Sequence, residues 1–534
     1  MGGIRIPAIS NSMGPWLLLL LLFPLGASGE LQNEGLQCAP AQEELSAKRL
    51  FRAWSLDTTG QLPTHDQLVA IEEAGLTEGL DALLSSPGFA DQVVRFHRSL
   101  LWNNISNINL FSANLSMQVA PGLSGIYYRR NRSSFYRGIA ETPCLDEPAT
   151  WNSTGELNFV SNGNGTIQEG WVEVSPYWAP STVIKVCAFD AQATIVSPTG
   201  IECSSRDGWN DAACGCGPEL NYCRAIGSLN NRVAQSFGES MDRSIKEWMD
   251  NDRSYLDLFR AKEMWVNGPM VHFFRHQSNL GGGVRMEPAP VLPSNLPDLH
   301  FSDLDTWVKI STHDAHSGIL THAAYLLRFQ TDRARADRFY TNFLCQPFQP
   351  PEEGLPVTSE EDALNPDLQN RPGCEYCHGL LEPAAAYWGR WTETGGGFLN
   401  PLSFEAYDTD CFDCALTGTP CSSHCKDHYI VAPTSPQENE YVGWLKSYIF
   451  RDQTHYPHIE QGPELLLLTS TVNEHNPFPA CSARKLAEHI LRRELVPEEE
   501  PWLDQLTQDF VMGGFDYKAL FKSILVSDAY RRVR

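Results

Sequence analysis

Fifteen cysteines in a chain of 534 residues constrain this protein more than any other sequence feature, because their chemistry depends on the compartment. In a reducing cytoplasm they would remain thiols or bind metals, whereas in an oxidising compartment they would cross-link the fold. The N-terminus indicates the compartment: Arg5 lies in a short polar start, an apolar run covers 16–25, and small residues at 27–29 offer a cleavage site. We predict a signal peptide at 1–29 and an exported chain, in the periplasm, at the cell surface or outside the cell. An uncleaved membrane anchor is the alternative.

The sequence after the leader disfavours a membrane-spanning segment and a nucleic-acid partner. After the leader, no stretch has the ~20 apolar residues that a membrane-spanning helix needs, so we predict no transmembrane segment in the mature chain. The formal net charge of −25 disfavours nucleic acid, whose binding requires clustered Lys and Arg. An acidic surface is compatible with a basic protein partner. The alternative is that the charge only maintains solubility.

Apolar residues recur at helical spacing in several segments, and this periodicity predicts a mainly α fold of small helical modules. Between about 111 and 223 the composition changes to Gly, Asn, Ser, Thr, Pro and Cys, with β-like runs at 171–174 and 182–186. This texture predicts an irregular Cys-rich insertion with short strands. The predicted units are a signal peptide (1–29), an N-terminal helical module (30–110), the Cys-rich insertion (111–225), a middle helical module (226–300), a haem c module with a Cys-rich loop (301–440) and a C-terminal helical module (441–534).

Cys374, Cys377 and His378 form the sequence C-x-x-C-H. Two thiols at this spacing on one turn can each form a thioether with a haem vinyl group, and the adjacent imidazole then faces the iron. With this composition, chance would produce the motif in roughly one chain in a hundred. We predict one covalent haem c, with His378 as the proximal iron ligand. The alternatives are a Cys374–Cys377 disulfide and half of a zinc site.

The other thirteen cysteines are predicted to be structural. Outside the cytoplasm disulfides are the default, and zinc remains the alternative for two clusters of four. Because thirteen is odd, at least one thiol is free, pairs with another chain or binds something else. The two clusters are Cys203, Cys214, Cys216 and Cys223, and Cys411, Cys414, Cys421 and Cys425.

The sixth position of the iron lacks a nearby methionine, since none lies between His378 and Met512. Each more distant candidate has an alternative as a core methionine or a hydrogen-bonded histidine. A histidine is slightly preferred, because 313–322 belongs to the same predicted module as the motif and Gly318 permits close backbone approach. The candidate distal ligands are His313, His316, His322 and Met512.

Short motifs lie at 52–60, 83–89, 231–267, 317–321, 343–345, 371–383, 478–481 and 515–531. Their order resembles that of large exported bacterial proteins bearing haem c, first catalogued from planctomycetes and known mainly as domains of unknown function. The similarity covers most of residues 45–534 except the Cys-rich insertion. One departure is that Ala384 and Ala385 follow Pro383, where the family usually has a glycine. The resemblance implies a haem-c protein and bacterial export, and it does not supply a reaction.

Three functions are compatible with these observations. The leading one is electron transfer, in which one haem c passes single electrons and the acidic surface docks a basic redox protein. The second is a haem peroxidase or oxidase with an open sixth position, acting on an extracellular substrate. The third is a structural or interaction subunit of an extracytoplasmic assembly, because some five hundred residues exceed what one haem requires for electron transfer.

Overall fold

The computed structural model describes residues 45–111, 113–225, 229–280, 284, 286–349, 354, 359, 362–472 and 477–531. The predicted signal peptide and Cys38 lie outside these residues. The predicted mainly α class is confirmed, with about 49% helix and 8% strand. Among the described residues, no helix is long and apolar enough to cross a membrane.

The N-terminal segment is a group of four helices. These are α1 (Ala47–Thr59), α2 (His65–Ala74), α3 (Leu76–Leu84) and α4 (Pro87–Leu101). Thr64 and Gln67 form a capping box at the start of α2, in which each side chain accepts the other's backbone N–H. Trp54 of α1 is buried and donates its indole N–H to the carbonyl of Leu525 at 3.0 Å. The first helix is therefore tied to the C-terminal end of the fold.

The segment 113–225 contains short strands, in agreement with the predicted texture. Five strands form one sheet in the order β5-β6-β2-β1-β7, and β3 pairs with β4. The fully buried Arg137 guanidinium contacts Glu169 at 2.5 Å and Asp190 at 3.0 Å, so that these buried charges are paired. The elements are β1 (Ser116–Val119), β2 (Ile126–Tyr128), α5 (Ser133–Arg137), β3 (Val160–Ser161), β4 (Ile167–Gln168), β5 (Trp171–Val174), β6 (Ile184–Cys187) and β7 (Arg224–Ala225).

In the described residues after 225, the regular elements are helices and one two-stranded sheet, in which β8 pairs antiparallel with β9. Its first elements are α6 (Leu229–Asp250), α7 (Tyr255–Arg260), β8 (Glu263–Val266), α8 (Gly268–His276), β9 (Val308–Ser311), α9 (Ala323–Arg328) and α10 (Asp332–Phe343). Its last elements are α11 (Glu375–Ala385), α12 (Thr409–Thr417), α13 (Ser423–His428), α14 (Tyr456–Val472), α15 (Pro477–Leu491), α16 (Glu500–Met512), α17 (Tyr517–Val526) and α18 (Asp528–Arg531).

Aromatic side chains from distant parts of the sequence meet in the centre of the fold. The Tyr255 ring lies 4.8 Å from Tyr517 and 5.7 Å from Phe478, measured between ring centroids. One hydrophobic core runs from Leu50 to Leu525. The helical segments predicted as separate modules therefore share this core, and a smaller cluster surrounds Cys411, Cys425 and Tyr429.

Candidate functional site

The C-x-x-C-H motif opens helix α11. Cys374 is the N-cap residue, and Cys377 follows three positions later, so both sulfurs lie on adjacent turns of the same helix face. Gly373 immediately before them has φ +83°, a conformation that glycine adopts without the steric penalty of a Cβ atom. Cys374, Cys377 and His378 are all partly exposed. The motif is thus presented at the surface on a rigid element.

The two cysteines of the motif differ from the other described cysteines because they form no disulfide. The predicted disulfides are confirmed: twelve of the described cysteines form six pairs, and Cys374 and Cys377 are free thiols. Each cluster of four pairs within itself, so its sulfurs are not available as zinc thiolates. Within the described residues, no third free thiol remains to complete a zinc site with the motif. The pairs are Cys144–Cys187, Cys203–Cys214, Cys216–Cys223, Cys345–Cys481, Cys411–Cys425 and Cys414–Cys421.

A buried carboxylate holds the imidazole of the motif. Glu382 lies one helical turn after His378, and its Oε1 is 2.7 Å from His378 Nδ1. The same carboxylate accepts hydrogen bonds from Arg333 Nε at 2.5 Å and from Arg451 Nη1. Arg451 also contacts Asp332 at 3.4 Å. Helix α10 and the segment before α14 therefore both support the imidazole through Glu382.

The charge of Glu382 determines the tautomer of His378. Burial opposes ionisation of this carboxyl group, but Arg333 and Arg451 outweigh burial and lower its pKa to about 2. An ionised carboxylate has no proton to donate, so the proton between the two groups belongs to His378 Nδ1. In the neutral imidazole Nε2 then carries the lone pair, which is the form that a metal ligand requires.

These residues fit a c-type haem by the chemistry of their donor atoms. Cys374 and Cys377 offer two free sulfurs at thioether spacing, and His378 offers an oriented Nε2 lone pair. A bound histidine in metal sites usually donates its other ring N–H to a carboxylate or carbonyl, and Glu382 is such an acceptor. The order of these residues in the sequence, Cys-x-x-Cys-His, is also that of a c-type haem attachment motif.

The four candidate distal ligands occupy different environments, and among the described contacts none is joined to His378. Both ring nitrogens of His322 are engaged: Nε2 lies 2.9 Å from Ser240 Oγ, and Nδ1 accepts the N–H of Ala324 at 3.1 Å. Met512 is 75% exposed at the end of α16. The structure therefore holds His322 in the core and leaves Met512 on the surface.

His313 and His316 lie among aromatic side chains. Their rings are 6.3 Å apart, and the His313 ring stacks on Phe398 at 3.8 Å and lies 5.2 Å from Trp391. His313 has both ring nitrogens buried without a hydrogen-bond partner among the described residues, and His316 has Nε2 in that state. Burial lowers the pKa of His313 to about 4, so its imidazole is neutral at pH 7. Of the four candidates, these two keep unengaged nitrogens.

Trp391 also lines a cavity of about 420 Å³, which reaches Glu382. Asp332 and Glu393 form a carboxylate pair on its wall, where the Asp332 N–H donates to Glu393 Oε1 at 3.2 Å. Partial burial and the charge of Asp332 raise the pKa of Glu393 to about 7. Because Glu393 stands at the exposed rim, water screens this interaction.

Sequence reasoning missed the groups that support the motif. Glu382 follows His378 by four positions, and this spacing on a predicted helix is a signal that would have identified it. Arg333 and Arg451 lie 49 and 69 positions from Glu382, so nothing local in the sequence indicates them.

Comparisons with family models, with curated proteins and with solved structures found no match to this chain. The resemblance described from the motif order therefore stays a prediction.

Proposed function

We propose that this protein carries one haem c, attached through Cys374 and Cys377 with His378 as proximal ligand, and that it transfers single electrons outside the cytoplasm. The observation that carries the proposal is the contrast in cysteine chemistry. Where every other described cysteine is oxidised to a disulfide, the two thiols of the C-x-x-C-H motif are free. When bound, the haem supplies an iron that changes oxidation state by one electron.

The protein's own contribution to that chemistry is the Glu382–His378 hydrogen bond. A carboxylate acceptor makes the imidazole a stronger donor, which favours oxidised iron and lowers the reduction potential. Arg333 and Arg451 moderate this effect, because they share the negative charge of Glu382. The six disulfides fit an oxidising compartment, and the net charge of −25 suits docking of a basic redox partner.

For the distal side we retain His313 and His316, because they keep unengaged nitrogens. A bis-histidine site would have a lower potential than a His/Met site, whose thioether favours reduced iron.

A haem peroxidase or oxidase is the second candidate, and one observation favours it. The hydrogen bond from His378 to an ionised carboxylate strengthens the push of electron density toward the iron, which assists oxidative chemistry. The cavity of about 420 Å³ supports it less, since that cavity reaches Glu382 on the Nδ1 side of the imidazole. A substrate there would stand behind the proximal ligand and not at the sixth position.

The test is the mass and the spectrum of the full chain exported from a host that matures c-type cytochromes. We expect the mass of one haem, resistant to acid extraction, with a low-spin six-coordinate spectrum and no peroxide turnover. A Cys374→Ala/Cys377→Ala variant should lose the haem, whereas a Cys414→Ala/Cys421→Ala variant should keep it.

A bare polypeptide mass would refute the haem proposal. A high-spin spectrum with peroxide turnover would replace electron transfer by the enzyme candidate. Persistence of the low-spin spectrum after replacing His313 and His316 would exclude both as distal ligands.

A further inference from the structure

A second cavity, distant in sequence from the motif, is lined by three histidines from two elements. His272 and His276 stand one turn apart on α8, and His300 lies in the segment between α8 and β9. The cavity measures about 420 Å³. An H-x-x-x-H pair on one helix places two imidazoles on the same face, which is a spacing that suits a shared cation.

His272 lines this cavity and has a ring nitrogen without a hydrogen-bond partner in the described structure. It is 6% exposed, its ring stacks on Tyr177 at 3.7 Å, and its Nε2 is buried without a partner in the described structure. Its other nitrogen hydrogen-bonds the backbone of Asn221. A ring N–H donated to a carbonyl is the usual support of a metal-binding imidazole, and it assigns the lone pair to Nε2.

The geometry of the pair also suits a cation. The ring centroids of His272 and His276 are 4.9 Å apart.

The remaining groups of the cavity complete a donor set. His300 is exposed, and its Nδ1 accepts the backbone N–H of Ser302 at 3.2 Å, so binding of a metal ion at Nε2 requires the ring proton to leave that nitrogen. Glu219 and Asp298 add two carboxylates at the rim, against the single guanidinium of Arg275. The ligand atoms of the three histidines do not yet lie within 4.8 Å of one another. Closure around an ion requires rotation of the half-buried His276 and the exposed His300, and His272 stays fixed by its stacking.

We propose that His272, His276 and His300 form a binding site for a borderline divalent transition-metal ion such as Zn²⁺ or Cu²⁺. Imidazole nitrogens select these ions over Ca²⁺ and Mg²⁺, which require oxygen ligands. Three histidines leave a fourth position for water or for a rim carboxylate, the arrangement of an accessible metal site. This site is independent of the haem proposal, because it uses none of the same residues.

The experiment is titration of the purified full chain, stripped of metal, with Zn²⁺ at pH 7.5 in a calorimeter, and with Cu²⁺ under electron paramagnetic resonance. We expect one Zn²⁺ per chain, no binding of Mg²⁺, and nitrogen splittings in the Cu²⁺ spectrum. His276→Ala and His300→Ala should each weaken Zn²⁺ binding at least tenfold, whereas His65→Ala, at an exposed position of α2, should not change it.

His272→Ala should abolish binding, but it also removes a buried ring and can unfold the chain. The half-buried and exposed positions His276 and His300 therefore decide the question, with circular dichroism as the check that each variant is folded. Absence of Zn²⁺ binding, or Zn²⁺ binding that is unchanged in both variants, would overturn the proposal.

Discussion

Two helices of this protein carry the same C-x-x-C spacing and have opposite sulfur chemistry. On α11, Cys374 and Cys377 are free, and His378 follows them. On α12, Cys411 and Cys414 are each bonded to a cysteine at 421–425, and Ala415 takes the place of the histidine. The spacing is thus not sufficient to define the site. What differs is the presence of partner thiols a few residues away and of an imidazole at the next position.

The largest expected effect comes from removing the sulfurs of either helix. Cys374→Ala/Cys377→Ala should eliminate covalent haem completely and leave the thermal stability of the haem-free chain nearly unchanged, because neither sulfur is cross-linked. Cys411→Ala/Cys425→Ala should keep the haem and lower the unfolding free energy by about 3 kcal/mol, the value for a closed loop of about 15 residues. Haem staining and denaturant unfolding measure both. Haem loss in the second variant would mean that the two helices are not independent.

The next prediction concerns a variant in which α12 acquires the C-x-x-C-H sequence of α11. In Ala415→His, the α12 sequence becomes C-x-x-C-H, but its sulfurs still have disulfide partners, so we expect one haem per chain. Adding Cys421→Ala and Cys425→Ala frees the thiols, and a second haem should then attach. Mass spectrometry counts the haems. One haem in the triple variant would show that features beyond the motif and free thiols are needed.

A smaller effect is expected at Glu382. Glu382→Gln should raise the reduction potential, because a neutral amide makes His378 a weaker donor. It should also destabilise the fold by about 3 kcal/mol, because the buried Arg451 would keep only the longer contact with Asp332 at 3.4 Å. Glu460→Gln, beside Arg390, is the matched control and should not change the potential. Redox titration followed by absorbance distinguishes the two.

The pH dependence of the wild-type chain follows from the same carboxylate. Its folded pKa of about 2 lies below the ordinary value of 4.5, so Glu382 contributes its full stability above about pH 4.5 and loses it as the pH falls toward 2. In Glu382→Gln, this part of the acid destabilisation should be missing.

The smallest effect is expected at Glu393. Its folded pKa lies above the ordinary value, so the folded chain binds this proton more tightly, and stability falls as the pH rises from about 4.5 to 7. Glu393→Gln should remove that fall. Solvent screening at the cavity rim limits the change to less than about 1 kcal/mol at pH 8. Thermal unfolding of both proteins at pH 5 and pH 8 is the measurement, and equal pH slopes would contradict it.

Local patterns predicted the local features well. The run at 171–174 coincides with β5, and the run at 182–186 overlaps β6. The motif was identifiable because its three residues are adjacent in sequence. Disulfide partners and the two arginines on Glu382 depend on how distant segments pack, and spacing does not encode that packing. The same limit applies to His272, whose significance comes from an unpartnered nitrogen that only the fold places in a cavity.

The Cys345–Cys481 disulfide joins the end of α10 to α15 across 136 positions. The C-x-x-C-H motif and the two short cross-linked loops of α12 and α13 lie inside the ring that it closes. If the chain were pulled from its two ends, tension would pass directly through this sulfur–sulfur bond and would bypass residues 346–480. Helix α11 would then bear no load, so stretching of the chain would unravel the outer segments before it disturbed the helix that carries the C-x-x-C-H motif.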